Sequence, residues 1–232
     1  MAIPFQEIYQ RNFDYLLTQQ ADKSIDLNEE IGFLSHLIVS SMDSYQPMVN
    51  AAAWSVREVL VTLCRLGLSL DPAKKLAYVM MAGVETAEPY LKLHPGYRGE
   101  IAIATKFGVI QNATATLVYE QDHFRLQPST NEVEHFVTSL SIDPAVRGLC
   151  TGGYCRSVLT NGSIHYSYMS IEELDAIAQN QIEMTMGNTP WNGIWLTEMR
   201  RIALYRRASK DWRQMMKSTL MDTTLQALAA VA

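Results

Sequence analysis

The first part of the chain carries apolar residues at helical spacing. Three helices are predicted there, over about 4–20, 26–41 and 50–66. Asp26 and Glu29 have the spacing of a capping box, which favours the start of the second helix, and Gly67 is placed to end the third. The first two helices contain no recognisable chemical motif, so we expect them to serve packing or assembly.

The middle of the chain changes to short runs in which apolar and polar residues alternate, the spacing of half-buried strands. Strands are predicted over 76–81, 90–93, 110–119, 123–126, 156–159 and 164–169. A Glu120-Gln121-Asp122 turn separates the third from the fourth. Asn161-Gly162 separates the last two and is the strongest short hairpin signal in the sequence. A central hairpin is therefore expected.

Helical spacing returns beside and after these strands. One helix is predicted between Gly96 and Gly108, and another begins at a Ser170-Glu173 capping box and reaches about Asn180. The order of elements predicts an α+β fold. In this fold a small antiparallel sheet with a central hairpin is flanked by helices, with helical N- and C-terminal segments.

The last predicted helix begins at Pro190 and is rich in arginine. Between residues 199 and 217 the chain has seven basic residues and one acid, a net charge of +6. The apolar residues of the helix predicted from Pro190 onward are expected to form one core stripe: Trp191, Ile194, Trp195, Ile202 and Tyr205. Core packing is the stronger interpretation of the tryptophans, and stacking on bases the weaker. The arginines fit either a solvated helix face or a phosphate-binding surface.

Length and composition favour one compact domain. The chain has 232 residues, of which 48% are hydrophobic and 19% charged, and such a chain can bury a sizeable core. It has no run of about 18 apolar residues, and its first residues lack the pattern of a signal peptide. We expect a soluble, intracellular protein with reduced thiols at Cys64, Cys150 and Cys155.

The net charge of −5 argues against a polyanion partner, because nucleic-acid-binding proteins usually have a basic surface. This charge is unevenly distributed along the chain. Residues 1–50 hold seven acids and two bases, a net of −5, so the remainder sums to zero. Because the local field governs the approach of an anion, the basic segment 199–217 is still a candidate anion-binding surface.

Motifs of catalysis and cofactor binding are missing from the sequence. It has no Gly-x-x-x-x-Gly-Lys-Ser/Thr phosphate loop and no dinucleotide fingerprint, so ATP-driven chemistry has no support. Cys150 and Cys155 lack the spacing of a zinc knuckle and a second pair of ligands. Glu132, Glu134 and Asp122 have the carboxylates that a nuclease metal needs, but acids in loops are usually solvated. We expect no enzyme, no metal and no cofactor.

The most informative short motif is the glycine-rich corner His94-Pro95-Gly96-Tyr97-Arg98-Gly99. Pro95 and Gly96 end the preceding strand, so the N–H groups and the positive dipole end of the next helix lie beside Arg98. Such a corner suits a phosphate, and Lys106 lies along the same side of the helix. A capped surface helix is the simpler interpretation of the same residues.

Gly96 to Gly99 resembles the Gly-Tyr-Arg-Gly signature of the RecT/Red-beta family of phage single-strand annealing proteins. Three further blocks agree in the same order. They are Leu66-Gly67-Leu68 followed by Ala77-Tyr78, then Tyr154 to Leu159 with Thr160-Asn161-Gly162 and Met169, and finally Pro190-Trp191 through Glu198-Met199 to Arg206-Arg207. The resemblance covers roughly Trp54 to Arg207, although this chain has fewer lysines in its core than is typical of the family.

The resemblance implies ATP-independent binding and annealing of single-stranded DNA in homologous recombination, by oligomers that form rings or helical filaments. DNA would lie in a continuous basic groove with its bases exposed, and no bond would be made or broken. Gly96, Arg98 and Gly99 would hold one stretch of backbone, with Lys106 nearby. The other wall would consist of arginines from the basic helix, namely Arg200, Arg201, Arg206 and Arg207.

Further DNA-binding candidates are chosen for positive charge near the matched blocks: Lys74, Lys75, Lys92 and Arg156. Tyr97 either stacks on a base or packs inward. The implied partners are single-stranded DNA, the annealed duplex intermediate and other copies of the chain. A phage exonuclease and a host single-strand-binding protein are further candidates, and no membrane is implied. The implied location is the cytoplasm of a bacterium that hosts the phage or prophage.

This interpretation divides the chain into three parts. Residues 1–50 are acidic N-terminal helices for assembly or packing, 51–209 the DNA-annealing core, and 210–232 a C-terminal helical tail. The alternative is a non-enzymatic helical scaffold or adaptor whose arginine helix binds an acidic protein partner. A metal-dependent nuclease is a third hypothesis.

Overall fold

The computed structural model describes residues 5–42, 47–127, 130, 132–141, 143–217, 227 and 229–231. The chain divides into two compact units, one of Met1–Phe107 with Met216–Ala232 and one of Gly108–Met215. Helices and small antiparallel sheets confirm the predicted α+β class, including the helical segments near both ends. The three-part division drawn from the sequence stays a prediction.

Three helices form much of the first unit: α1 (Phe5–Gln19), α2 (Leu27–Ser40) and α3 (Ala53–Leu66), with a short 3-10 helix at Met48–Asn50. Asp26 caps α2 by accepting a hydrogen bond from the Asn28 N–H. Gly67 ends α3 in the left-handed conformation, at φ 61°. The apolar faces of these helices are buried, as expected for amphipathic helices: Leu16, Leu34, Val59, Leu63 and Leu66.

A hairpin and one helix follow in the same unit. Strand β1 (Ala77–Ala82) pairs antiparallel with β2 (Tyr90–Pro95), and α4 (Tyr97–Lys106) follows β2 after Gly96. Val79, Leu91 and Leu93 alternate with more exposed residues, so one face of the hairpin is buried and the other faces outward. These elements confirm the predicted strands and the helix between Gly96 and Gly108.

The second unit contains a three-stranded antiparallel sheet and a separate hairpin. The sheet has the order β3 (Ile110–Tyr119), β6 (Cys150–Leu159), β7 (Ile164–Ser170), and the hairpin joins β4 (His123–Gln127) to β5 (Glu132–Phe136). The predicted hairpin around Asn161-Gly162 is confirmed between β6 and β7. The strands on either side of Asp122 do not pair with each other, because β3 pairs with β6 and β4 with β5.

Strand β6 begins six residues earlier than predicted. Gly152 and Gly153 look like a break in the sequence, but they continue the ladder opposite Val118 and Leu117. A Cβ at Gly153 would lie 2.7 Å from the Leu204 side chain and 2.7 Å from the Thr116 carbonyl oxygen. These glycines therefore mark a close approach of neighbouring elements rather than the end of a strand.

Helix α6 (Ile171–Met184) begins at the predicted Ser170-Glu173 capping box, and both reciprocal hydrogen bonds are present. Helix α7 (Leu196–Lys217) begins six residues after Pro190. Gly193 explains the difference, since its φ of 132° is not helical.

The predicted core stripe of this helix is partly wrong. Trp191 is buried as predicted, but Ile194 is 90% exposed and Trp195 60% exposed because both precede the helix. The apolar side chains of α7 that are buried within the second unit are Ala203, Leu204, Ala208 and Trp212. The Trp212 indole N–H donates to the Ser157 hydroxyl on β6 at 2.9 Å, which fixes the helix on the sheet.

Candidate nucleic-acid interface

The glycine corner between β2 and α4 is packed against the residues that lead into β1. The Gly96 N–H donates to the Leu76 carbonyl oxygen at 2.8 Å. A Cβ at Gly99 would lie 2.0 Å from that same oxygen, and a Cβ at Gly96 would lie 2.9 Å from the Tyr78 ring. Both glycines thus have a packing role, and the phosphate contacts predicted for them stay a prediction.

Arg98 extends into solvent beside Tyr97. Its Nε donates to the Tyr97 hydroxyl at 3.2 Å, and its guanidinium carbon lies 5.9 Å from the centroid of that ring. The hydrogen bond to Tyr97 raises the pKa of Arg98 above its ordinary value, so the side chain stays positively charged. Tyr97 itself is half-buried. The pair places a cation and an aromatic ring together at the start of α4, a combination that suits single-stranded nucleic acid.

Lys106 has a structural partner at the other end of α4. Its ammonium pairs with Asp22 at 3.4 Å, and a Cβ at Gly67 would lie 2.0 Å from its Nζ. Gly67 is therefore both the left-handed cap of α3 and the open space that this ammonium needs. This close approach explains why the Leu66-Gly67-Leu68 block has a glycine at its centre. The charge of Lys106 is neutralised by the Asp22 carboxylate.

Three lysines lie on or before the β1–β2 hairpin. Lys74 and Lys75 are exposed in the turn before β1, where Lys75 has φ 55°, and Lys92 is half-buried on the outward face of β2. Among the residues that the structure describes, none of the three forms an ion pair. They carry uncompensated positive charge in the first unit.

The arginines of α7 are mostly engaged with acids. Arg200 pairs with Asp175 at 2.7 Å, and Arg207 pairs with Glu173. Both acids lie on α6, so these ion pairs connect the two helices. Arg201 pairs within its own helix, with Glu198. Three of the four α7 arginines predicted to contact phosphate thus have carboxylate partners within the protein.

Arg206 and Lys210 differ from the α7 arginines that pair with acids. They lie one turn apart, both are exposed, and within the described ranges neither has an ion-pair partner. They border a surface cavity of about 450 Å³ whose floor is largely apolar and includes Met169, Ile177, Trp191 and Ile202. Lys210 is absent from the contacts predicted from sequence. Its position four residues after Arg206, which places both on one side of a helix, could have identified it.

Arg156 lies on an aromatic face of the three-stranded sheet. It is half-buried on β6, opposite Tyr166 on β7. Tyr166 in turn contacts Tyr154, with ring centroids 5.8 Å apart, and stacks on Tyr168 at 6.3 Å. This arginine therefore shares one face of the sheet with Tyr154, Tyr166 and Tyr168.

Asp122 is buried and fully engaged, so the interpretation of a solvated loop acid is wrong. Arg147 donates to its two carboxylate oxygens at 2.9 and 2.6 Å, and His135 Nε2 lies 3.1 Å from the carboxylate. Burial alone would raise the pKa of Asp122, but the hydrogen bonds from Arg147 and His135 lower it to about 2. Glu132 and Glu134 lie on β5 and not in a loop.

Neither a metal-binding cluster nor a membrane-spanning helix occurs among the described residues. No group of three or more His, Cys, Asp or Glu residues in this part of the chain is arranged to hold a metal ion. The helices found in the same residues are too short or too polar to cross a membrane.

Exposed cations beside aromatic side chains, such as Arg98 beside Tyr97, are a combination with which proteins bind single-stranded nucleic acid. The sequence profile of the RecT family matches residues 55–228, which is most of the chain, and the chain belongs to that family. The family consists of phage single-strand annealing proteins of recombination, so the resemblance carried by the Gly96 to Gly99 block is confirmed. No curated protein matches the sequence.

Proposed function

We propose that this protein binds single-stranded DNA and anneals complementary strands without ATP, as an oligomer that holds phosphates in a basic groove. Membership of the RecT family is the observation that carries the proposal. Complementary strands approach each other slowly because their phosphates repel and each strand folds on itself. A protein that neutralises phosphates and extends the strand removes both obstacles, and no bond changes, so the reaction needs no cofactor.

The main proposed phosphate contacts are chosen from the cations that form no ion pair within the described residues. In the first unit these are Arg98, Lys74, Lys75 and Lys92, and in the second Arg206 and Lys210. Arg156 and Arg201 are secondary contacts. Arg200, Arg207 and Lys106 contribute mainly to the local field, because a phosphate must compete with the acids that already pair with them.

The direct test is annealing of a fluorescent oligonucleotide to its complement in the absence of ATP. We expect the protein to bind the single strand and to speed pairing above the spontaneous rate. Absence of binding at low salt would overturn the proposal and favour the adaptor that binds an acidic protein. Cleavage of the oligonucleotide when magnesium or manganese is added would instead support the nuclease hypothesis.

Salt dependence locates the phosphate-binding residues on α7. Removing a cation that neutralises one phosphate of a single strand reduces the slope of log K against log salt by about 0.7. Replacing Arg206 and Lys210 by Gln is therefore expected to reduce the slope by roughly 1.4. The matched control replaces two exposed cations of the acidic segment, Arg11 and Lys23, by Gln. It removes the same net charge and is expected to leave the slope unchanged.

The proposed setting is recombination in the cytoplasm of a bacterial host. A phage exonuclease that produces single strands and a host protein that coats them are the proposed protein partners. Binding to either is measurable by co-sedimentation with the purified protein.

A further inference from the structure

The outward face of the β1–β2 hairpin is unusually rich in flat and apolar side chains. Directly opposed residues of an antiparallel pair share a face, and here Tyr78 lies opposite His94, Met80 opposite Lys92, and Ala82 opposite Tyr90. Tyr78 is 51% exposed and Met80 55% exposed. A hairpin whose outward face served only solubility would show polar residues at these positions.

The rings on this face are held in place by their surroundings. The Tyr78 ring packs over Gly96, where a Cβ would lie 2.9 Å from it, and the Tyr90 ring packs over Gly83, where a Cβ would lie 2.8 Å away. Trp54 of α3 stacks on Tyr90 with centroids 5.6 Å apart and an angle of 28° between the planes. Because these rings are already ordered, a flat ligand that stacks on them loses little additional freedom.

Positive charge is interleaved with the rings. Lys92 lies in the middle of the face, and Arg98 lies two residues after Gly96, over which the Tyr78 ring packs. The nearby acid Glu58 is paired with Arg57 at 2.8 Å. Lys92, Trp54 and Tyr90 also border a surface cavity of about 410 Å³, which lies between α3 and β2 and is lined in part by Ala229, Ala230 and Val231. The face therefore combines stacking surfaces with charges that complement a phosphate backbone.

We infer that this face stacks on the bases of single-stranded DNA, with Tyr78, Met80 and the Trp54–Tyr90 pair against the bases and Lys92 and Arg98 against phosphates. The inference rests on the proposed function and adds a base-contacting surface to it. Unpaired bases are the expected ligand because a duplex hides the faces of its bases. Stacking requires no particular base, so the surface accepts any sequence.

The test compares two fluorescent strands of equal length and charge, one of thymidines and one of abasic sites. The wild-type chain is expected to bind the thymidine strand roughly tenfold more tightly, since stacking on even one base is worth about that factor. Replacing Tyr78 and Met80 together by Ala is expected to remove most of this preference. The same variant keeps its affinity for the abasic strand within about twofold of the wild type.

Three further variants make the result specific. Tyr78→Leu keeps an apolar side chain over Gly96 and is expected to lose part of the preference without disturbing the fold. Lys92→Gln is expected to weaken both strands by the same factor, since it removes a phosphate contact. Phe136→Ala removes an aromatic side chain that is 65% exposed on a different hairpin, and is expected to change neither affinity.

The failure of this inference differs from the failure of the proposed function. If neither strand binds, the annealing function itself is overturned. If both strands bind equally, or if the Tyr78 variants lose both equally, the base-stacking role is overturned and the annealing function stands. If the Tyr78 variants bind normally but sediment as smaller particles, the face is a contact between copies of the chain, and the inference is again overturned.

Discussion

At the scale of single residues, the glycines of the family blocks are explained by what they leave room for. A Cβ at position 67 would meet the Lys106 ammonium, one at 96 the Tyr78 ring, and one at 99 the Leu76 carbonyl oxygen. None of these contacts involves DNA. The glycines of the Gly-Tyr-Arg-Gly block therefore fix the start of the helix from which Arg98 extends.

Gly99→Ala is expected to lower the free energy of unfolding by about 1 to 3 kcal/mol, the usual cost of overpacking, because its Cβ meets backbone that cannot rotate away. Urea unfolding followed by circular dichroism measures the change. Gly32→Ala is the matched control, since Gly32 lies within α2 with no atom within 4 Å of the new Cβ. It is expected to gain up to about 1 kcal/mol. Equal stability of both variants would contradict the packing role of Gly99.

At the scale of elements, one buried cluster ties the irregular part of the second unit together. Asp122 lies in the turn after β3, Arg147 in α5 (Pro144–Arg147) and His135 on β5. His135 Nδ1 also lies 3.1 Å from the Tyr154 hydroxyl on β6. The cluster replaces the apolar core that these short segments are too small to build. Removing one partner would leave a buried charge unpaired.

The pH dependence of stability follows from this cluster. The folded protein lowers the pKa of Asp122 to about 2, below the value of about 3.9 in an unfolded chain. The ionised carboxylate therefore adds about 2 kcal/mol that is fully present above pH 4 and is lost as the pH falls towards 2. Urea unfolding at pH 7 and pH 3 should show this loss.

Asp122→Asn should lose about 3 to 5 kcal/mol at pH 7, because Arg147 is left without its partner. Its remaining stability should fall less than that of the wild type between pH 7 and pH 3. Asp14→Asn, at an exposed position on α1, serves as the control and should keep the wild-type pH dependence. The same steep acid loss in Asp122→Asn would show that other carboxylates cause it.

The elements that sequence predicted correctly have local signals. The Asn161-Gly162 turn, the Ser170-Glu173 box and the left-handed Gly67 each involve residues within a few positions of one another. The early start of β6 depends on its pairing with β3, which is distant in the chain, whereas β5 pairs with the neighbouring β4 and α5 has a local cap at Asp143. Alternation alone could not identify β5, since it consists largely of charged and half-exposed residues.

In the candidate site, too, features with local sequence signals were predictable and features that depend on distant residues were not. The position of Arg98 at the start of a helix follows from Pro95 and Gly96 and was predictable. The partners of the α7 arginines were not, because Asp175 is 25 residues from Arg200 and Glu173 is 34 residues from Arg207. Charge counting therefore overstated the positive charge that α7 offers to DNA.

At the scale of the whole molecule, a net charge of −5 leaves each copy with few cations for a polyanion. Among the predicted contacts and Lys210, the cations that form no ion pair within the described ranges are Arg98, Lys74, Lys75, Lys92, Arg156, Arg206 and Lys210. One copy should therefore hold a strand weakly. Many copies on one strand can still bind tightly, because each bound contact makes the next one intramolecular.

The dependence of affinity on strand length tests this argument. Thymidine strands of about 15, 30 and 60 nucleotides are compared at equal nucleotide concentration. Their affinity is expected to rise by about tenfold or more for each doubling of length, until the strand has no room for further copies of the protein. Replacing Arg206 and Lys210 by Gln should weaken the longest strand more than the shortest, because the loss is repeated in every copy along it. An affinity that rises only in proportion to length, with the same loss for all three strands, would mean that copies bind independently. Tight binding would then have to come from stronger contacts within each copy than its unpaired cations supply.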